Sequence, residues 1–294
     1  MSKLRRIAAL ALAITSTCSL VAESHCPGNV PSLPYRLIKG HLIVTEISIN
    51  GSGPYDFLLD TGSHYTMVDP SLAKRMHLAL ETQVEIATLG AQGTFALVDV
   101  PRIDAGNHVL MHQDAVVYNL KNLPTAIRLD GILGESFLSH FDLLIDNEHH
   151  LLCLDETGTM RPEPKGVRLP FLASDGTTVT SSIVVEANLS GVAKPVRLKL
   201  DSGANQSVLF RAPAYMPFRG TPGAGAEGAA QIFSRLPQQN LKIGNLQLKD
   251  IDMVTFAKNA HTGLTSDCDG LLSTGLFRRI LIEHSEHVLV LEAW

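Results

Sequence analysis

The feature that most constrains this chain is a short acidic loop that occurs twice, each time at the end of an apolar run. Phe57-Leu58-Leu59 leads into Asp60-Thr61-Gly62-Ser63, and Leu198-Lys199-Leu200 leads into Asp201-Ser202-Gly203-Ala204, 141 positions later. Three apolar residues in a row read as a buried strand. An acid at the end of such a strand costs free energy to ionise unless something compensates it. The glycine lets the backbone turn sharply and approach another backbone closely. The hydroxyls of Thr61 and Ser63 can bond groups within the turn. One such loop makes an ordinary turn. Two of them can bring two carboxylates together, which is the raw material of acid–base chemistry.

The surroundings of the two loops repeat as well. Leu42-Ile43-Val44 and Ile47-Ser48-Ile49 read as strand, with a hairpin signal at Asn50-Gly51, before the chain returns through Phe57 to Asp60. Thr66-Met67-Val68 follows, then Asp69-Pro70 as the cap and first turn of a short helix that presents Leu72 and Met76 and ends near Leu78. Val84–Val100 reads as a hairpin with its tip near Leu89, Gly90 and Gly93, and Val109–Leu120 as further strand. Asp130-Gly131-Ile132-Leu133-Gly134 precedes a closing hairpin of Leu143–Asp146 and Leu151–Leu154 around Asn147–His150. Residues 156–170, with Gly158, Pro162, Pro164, Gly166 and Pro170, read as a linker. The programme then restarts. Ile183–Leu189 matches the first arm, Val196–Asp201 the acidic strand and Ser207-Val208-Leu209 the strand after it. The Gly/Ala-rich Gly220–Ala230 stands for the first hairpin tip and Leu241–Asn245 for Ile103–Asn107. Asp269-Gly270-Leu271-Leu272 stands for Asp130–Leu133, and Leu281–Glu283 with Val288–Leu291 for the closing hairpin. A period of about 140 residues is too long for a solenoid and gives two homologous domains.

Valine, leucine and isoleucine runs broken by Gly and Pro make the fold all-β, and with 5% aromatic residues the core must be aliphatic. A net charge of −5 without a long basic run excludes a nucleic-acid surface. Residues 1–22 read as a signal peptide: Lys3, Arg5 and Arg6 precede the apolar Ile7–Ile14, with cleavage after Leu20-Val21-Ala22. The apolar run is too short to span a membrane. The expected location is therefore the periplasm or the exterior; a lipid anchor on Cys18 is the less favoured form of export. Residues 23–35 read as a leader. Cys26, Cys153 and Cys268 then allow at most one intrachain disulfide, Cys153–Cys268 being one such pair.

The loops and the strands that follow them resemble the retropepsin-like aspartic proteases, in a tandem single-chain form of the kind seen in bacteria. The family motif, apolar-apolar-Asp-Thr/Ser-Gly-Ala/Ser, fits Phe57–Ser63 and Leu198–Ala204. The second motif, apolar-apolar-Gly, fits Ile132-Leu133-Gly134 and, with Ser273 in place of the glycine, Leu271-Leu272. The resemblance implies two β-barrel lobes about a pseudo-twofold axis, 36–155 and 171–294. It implies Asp60 and Asp201 as a catalytic dyad at their interface, and Thr61 and Ser202 bonding across that interface. Gly62 and Gly203 would allow close approach, with Ser63 and Ala204 completing the loops. It implies flaps around Leu89, Gly90 and Gly93 and around Gly223, Gly225 and Gly228. It implies no metal and no cofactor, a peptide or protein substrate, and a monomer acting as a pseudo-dimer, with a homo-oligomer as the open alternative. The competing functional class is a silent protease-like module that holds peptide or glycan, for which the Ser273 substitution is the argument.

The remaining singular residues read blandly. Asp130 and Asp269 suit hydrogen-bonding turns beside a glycine. His284 and His287, like His149 and His150, suit solvated hairpin tips better than metal sites. His64 stands equally as a loop-surface residue and as one that tunes the dyad or touches substrate.

Overall fold

The computed structural model describes residues 25–39, 41–87, 92–123, 125, 127–156, 158–160, 166–171, 182–211, 221–224, 230–256 and 268–294. The expected signal peptide lies outside them, as do Leu89, Gly90, Gly225 and Gly228. The first lobe begins with β1 (Tyr35–Ile38), β2 (Leu42–Ile49), β3 (Ser52–Leu59), β4 (Thr66–Val68), β5 (Ala79–Ala87), β6 (Gln92–Ala105), β7 (His108–Val117) and β8 (Gly131–Leu133). Their order in the sheet is β1-β2-β3-β8-β4-β7-β6-β5. β6 is long enough to pair with β2 too, Ile47 against Ala105 and Ile49 against Ile103, so six strands close into a barrel with no open edge in the ring. The β2–β3 turn is the expected Asn50-Gly51, with φ of 52° and 73°, the left-handed pair that a two-residue hairpin of this twist demands. The helix α1 (Pro70–Arg75) is capped by Asp69, whose carboxylate accepts from the Ser71 N–H at 2.9 Å; it stops at Arg75 rather than near Leu78. The lobe ends with the one-turn helix α2 (Glu135–Leu138) and the predicted hairpin of β9 (Asp142–Asp146) and β10 (Leu151–Asp155).

After β11 (Val167–Pro170), the second lobe repeats this plan. It consists of β12 (Val184–Leu189), β13 (Val196–Asp201), β14 (Ser207–Leu209), β15 (Thr221–Ala224), β16 (Ala230–Arg235), β17 (Gln239–Ile243), β18 (Leu246–Ile251), β19 (Met253–Phe256) and β20 (Gly270–Ser273). They run in the order β15-β16-β19-β14-β20-β13-β12-β17-β18. The registers match those of the first lobe. Leu58 lies against Ile132 and Lys199 against Leu271 in the parallel pairs; Met67 lies against Ile132 and Val208 against Leu271 in the antiparallel ones. Where the first lobe has the single strand β6, the second has β16 and β17, broken at Leu236-Pro237-Gln238, where proline has no N–H for the ladder.

β21 (Phe277–Glu283) and β22 (Val288–Ala293) close the chain, and here the lobes fuse. The two closing hairpins form one five-stranded sheet, β10-β9-β21-β22-β11. Leu144 faces Leu281, its own counterpart, while Leu143 faces Ile282 and Ile145 faces Ile280. That reciprocal register is a local twofold axis. Phe57, Leu59, Phe137, Leu143 and Ile145 share one buried cluster with Leu198, Leu200, Phe277, Ile280 and Ile282, so a single apolar core runs through both lobes.

Three expectations are corrected. Cys153 pairs with Cys26, not with Cys268. The pairing follows from the path of the leader, which is no bare tail: Leu33 donates to the Leu152 carbonyl at 2.7 Å, and Ser32 bridges to Cys153 itself. Cys26 and Leu33 are buried there, Cys26 in a cluster with Leu144 and Leu281 on the outer face of the central sheet. The predicted linker ends in a strand, because the edge of β22 offers β11 a ladder from Val167–Leu291 to Pro170–Val288. His284, finally, is not a solvated tip but is buried between the lobes, as described below.

Candidate active site

Each acidic loop follows from the strand that feeds it. β3 and β13 run parallel to β8 and β20, and the ladder carries Asp60 to the end of its strand, where its N–H bonds the Leu133 carbonyl at 3.0 Å. The chain then turns, and the Gly62 N–H donates back to Asp60 Oδ1 at 2.8 Å. In the second lobe the Gly203 N–H donates to Asp201 Oδ1, also at 2.8 Å. These bonds pin each carboxyl against its own turn.

Four hydrogen bonds lock the two loops together. Thr61 Oγ1 donates to the Leu200 carbonyl at 3.1 Å and accepts from the Ser202 N–H at 3.1 Å. Ser202 Oγ donates to the Leu59 carbonyl at 2.8 Å and accepts from the Thr61 N–H at 3.0 Å. Every one of them joins one lobe to the other, and both side chains are fully buried. The glycines make this approach possible. A Cβ on Gly62 would stand 2.5 Å from Asp201 Cγ, and one on Gly203 would stand 2.7 Å from Asp60 Cγ. No side chain fits at either place, so each loop glycine lies directly against the other loop's carboxyl.

The predicted acids thus meet across the twofold, each carboxyl against the other loop's glycine and within reach of the other's charge. Asp60 is raised above the ordinary carboxylate value, first by burial, against the opposing Lys199 charge and the Gly62 N–H. Asp201 is pushed up to about 8, first by burial and then by the charge of Asp60, with Lys199 again opposing. Two carboxyls so close cannot both ionise easily, so the pair holds one proton between them.

Of the other loop residues, Ser63 donates its N–H to the Asp60 carbonyl at 3.2 Å and its Oγ to the Tyr65 carbonyl at 2.8 Å. The Ala204 carbonyl accepts from Ser273 Oγ at 2.8 Å. That bond explains the departure in the second motif. In the first lobe Gly134 leads into α2, and the Glu135 N–H bonds the Ser63 carbonyl at 2.9 Å; a Cβ on Gly134 would collide with the Tyr65 carbonyl at 2.3 Å. In the second lobe a 3₁₀ turn over Thr274–Leu276 replaces α2, and the Ser273 hydroxyl supplies the missing donor. The register is kept: the Ser273 N–H bonds Ser207 Oγ at 3.1 Å, as the Gly134 N–H bonds Thr66 Oγ1 at 3.3 Å. The substitution leaves the hydrogen bonds of the second acidic loop in place.

Asp130 and Asp269 are hydrogen-bonding turn residues, as expected. Asp130 Oδ2 accepts from the Asp56 N–H at 3.3 Å and Asp269 Oδ2 from the Arg197 N–H at 2.8 Å. His64 Nε2 lies 3.4 Å from Ser182 Oγ, in the other half of the chain. Strand ladders flank both expected tips, which themselves lie outside the described residues. β5 pairs with β6 up to Ala87–Gln92, with Gly93 on β6; β15 pairs with β16 up to Ala224–Ala230, with Gly223 on β15. A cavity of about 660 Å³ lies behind the second loop, bordered by Asn205, Gln206, Ser273 and Trp294; neither carboxyl lines it.

Sequence reasoning missed two features. Lys199 is buried beside the pair, and a lysine between Leu198 and Leu200 is a visible anomaly in an otherwise apolar strand. His284 is buried on Glu135, with Nε2 to Oε2 at 3.0 Å and Nδ1 to the Phe141 carbonyl at 2.6 Å, so a second polar link joins α2 to β21's end. Burial alone would lower His284, but the Glu135 hydrogen bond and charge outweigh it and raise it above 6.5. Asp146, Glu148 and His149 also converge, yet Arg279 donates to Asp146 at 2.6 Å and Arg278 to Glu148 at 3.0 Å, so arginines fill the place of a cation. Among the described residues no helix is long and apolar enough to cross a membrane.

Residues 45–137 match the model of a family described as aspartyl protease. No curated protein matches the chain. Among solved structures, it is similar to a retropepsin-like aspartic protease from Rickettsia conorii, at 19% identity over 41% of this chain and 86% of that one, with a TM-score of 0.33. The family match runs from β2 through α2 and takes in the first acidic loop. The first lobe thus carries the stretch similar to the aspartyl protease family, within a chain folded almost wholly from β-strands in two barrel-forming sheets.

Proposed function

We propose that this chain is an aspartic endopeptidase, a tandem single-chain form produced by internal duplication, in which Asp60 and Asp201 activate water for attack on a peptide bond. The observation that carries this reading is the reciprocal approach of the two loops, each glycine against the opposite carboxyl. The ionised carboxyl takes a proton from water as its oxygen attacks the carbonyl carbon. The protonated one donates to the carbonyl oxygen of the tetrahedral intermediate, and a proton passes to the leaving nitrogen as the C–N bond breaks. The Gly62 and Gly203 N–H groups hold the inner oxygens still, and the Thr61–Ser202 lock fixes the separation of the acids. The β5–β6 and β15–β16 hairpins would serve as flaps and pair with an extended substrate. The Cys26–Cys153 disulfide supports export to an oxidising compartment, as the basic and apolar start of the chain suggests.

The test is cleavage of a diverse peptide library from acid to neutral pH by the wild type, Asp60→Asn and Asp201→Asn. Each substitution is expected to lower kcat at least a thousandfold, in the manner of residues that act as a unit. Cleavage that survives either one sinks the dyad. A folded wild type that binds peptides but leaves them whole would mark a binding module instead.

A further inference from the structure

The two halves of the site differ at one position, and the following inference rests on the dyad reading above. β13 carries Lys199 two residues before Asp201. Side chains two apart on a strand share a face. The lysine therefore leaves the sheet on the side of the Asp201 carboxyl, while Leu198 and Leu200 enter the shared core. Lys199 is 8% exposed. Among the described residues, no carboxylate lies within 4.0 Å of its ammonium. Its charge instead reaches both Asp60 and Asp201. A buried ammonium with no counter-ion within 4.0 Å among the described residues is costly to hold. The matching residue of the first lobe, Leu58, rests in an apolar cluster with Met67, Val116 and Leu120. Lys199 sits in the same register, against Leu271 as Leu58 is against Ile132. The same register position, two residues before the acid, is thus apolar in the first lobe and basic in the second.

We propose that Lys199 determines specificity by taking a substrate carboxylate beside the scissile bond, on the side of the second lobe. The site shares a proton between its acids and so carries one negative charge, which leaves the ammonium able to hold a second anion. The carboxylate comes from a Glu or Asp side chain flanking the scissile bond or from the end of the peptide; both offer the same group to the same cation.

The test uses peptide pairs that differ only as Glu against Gln at each flanking position, and pairs ending in a free acid or an amide. The kcat/KM ratio within each pair is compared among wild type, Lys199→Met and Lys199→Arg. Because each ratio is taken within one protein, the folded fraction cancels. The wild type is expected to favour Glu at one position by about tenfold or more, the scale of a charge-assisted bond. Lys199→Arg should keep the preference and Lys199→Met should bring it to about one. A preference for the free acid that Lys199→Met abolishes supports the proposal and assigns the source to the peptide end. A wild type with no acid preference, or one that survives Lys199→Met, overturns it. So does a Lys199→Met variant in which the pH profile moves but the ratio does not. The same pairs with a reduced, uncleavable bond give a ratio of Kd, which reads the preference without turnover. Cleavage that persists in Asp60→Asn, with the binding preference intact, would sink the dyad and leave Lys199 standing.

Discussion

Replacing Thr61 by valine removes one hydroxyl and keeps the shape. That hydroxyl makes two bonds, to the Leu200 carbonyl and from the Ser202 N–H, both at 3.1 Å and both between lobes. Valine leaves an acceptor and a donor orphaned where Thr61 is fully buried and water does not reach. Each orphan costs roughly 1–3 kcal/mol, and with partial relaxation the sum is about 2–4 kcal/mol. Thr45 provides the control. Its buried hydroxyl makes one bond, to the Pro34 carbonyl at 2.8 Å, within the first lobe, so Thr45→Val should cost about 1 kcal/mol. Ser202→Ala orphans the other pair, the Thr61 N–H and the Leu59 carbonyl. The two substitutions delete different bonds in one interface. The double variant should therefore fall short of the sum by about 0.5–3 kcal/mol, because the second acts on a junction already loosened. Urea unfolding of the four variants beside the wild type measures this. A Thr61→Val cost no larger than that of Thr45→Val, or strict additivity with Ser202→Ala, would refute the claim that these hydroxyls hold the lobes in register.

Further outcomes follow from the same geometry. Asp201 holds its proton to about 8 when folded against 3.8 when unfolded, so the stability this confers is full below pH 4 and is lost as the pH rises through about 8; Asp201→Asn should flatten that part of the stability–pH curve, and a parallel curve would contradict it. His284 is raised above 6.5, so its contribution is complete below pH 6.5 and is lost as the pH rises through the folded value; Glu135→Gln takes away the partner and should abolish that alkaline loss in a thermal melt series. Gly134→Ser copies the second lobe into the first and should still destabilise by more than about 2 kcal/mol in urea, because its Cβ meets the Tyr65 carbonyl at 2.3 Å; a neutral result would show that α2 shifts as easily as the 3₁₀ turn allows in the second lobe.

What was legible in the sequence is what short stretches encode. The alternation and turns around Asn50-Gly51, the cap at Asp69-Pro70 and the repeated acidic loops each carry their instruction within a few residues. The repetition then predicted the meeting of Asp60 and Asp201, since equal strands feeding equal loops can be related by a twofold. Pairings between distant segments were not legible. Nothing local tells β9 to pair with β21, or β11 with β22, because any apolar strand of suitable length would satisfy the same edge. The Cys26–Cys153 bond depends on the leader lying along β10, which its polar composition conceals. His284 looked solvated because its partner, Glu135, is far away in sequence and becomes a neighbour only when the central sheet forms. Ser273 looked like damage because its compensation, a hydroxyl reaching the Ala204 carbonyl, belongs to side-chain geometry and not to pattern.

The distribution of likeness between the lobes has a physical logic. Residues on the twofold touch their own counterparts, so each change there must be answered by its partner. Thr61 and Ser202 exchange reciprocal bonds, Gly62 and Gly203 make room for opposite acids, and Leu144 faces Leu281. These positions have kept the same chemistry. One step off the axis the reciprocity ends. Leu58 meets its own lobe's Ile132 and Lys199 its own lobe's Leu271, Gly134 opens a helix and Ser273 a 3₁₀ turn, and the Glu135 carboxylate meets His284 where their counterparts join through the Thr274 carbonyl and the Asn147 amide. Two identical chains about a true twofold would place a lysine on both sides or on neither. A chain that carries both halves can place it on one side only, and so give its two chemically equal acids unequal neighbours.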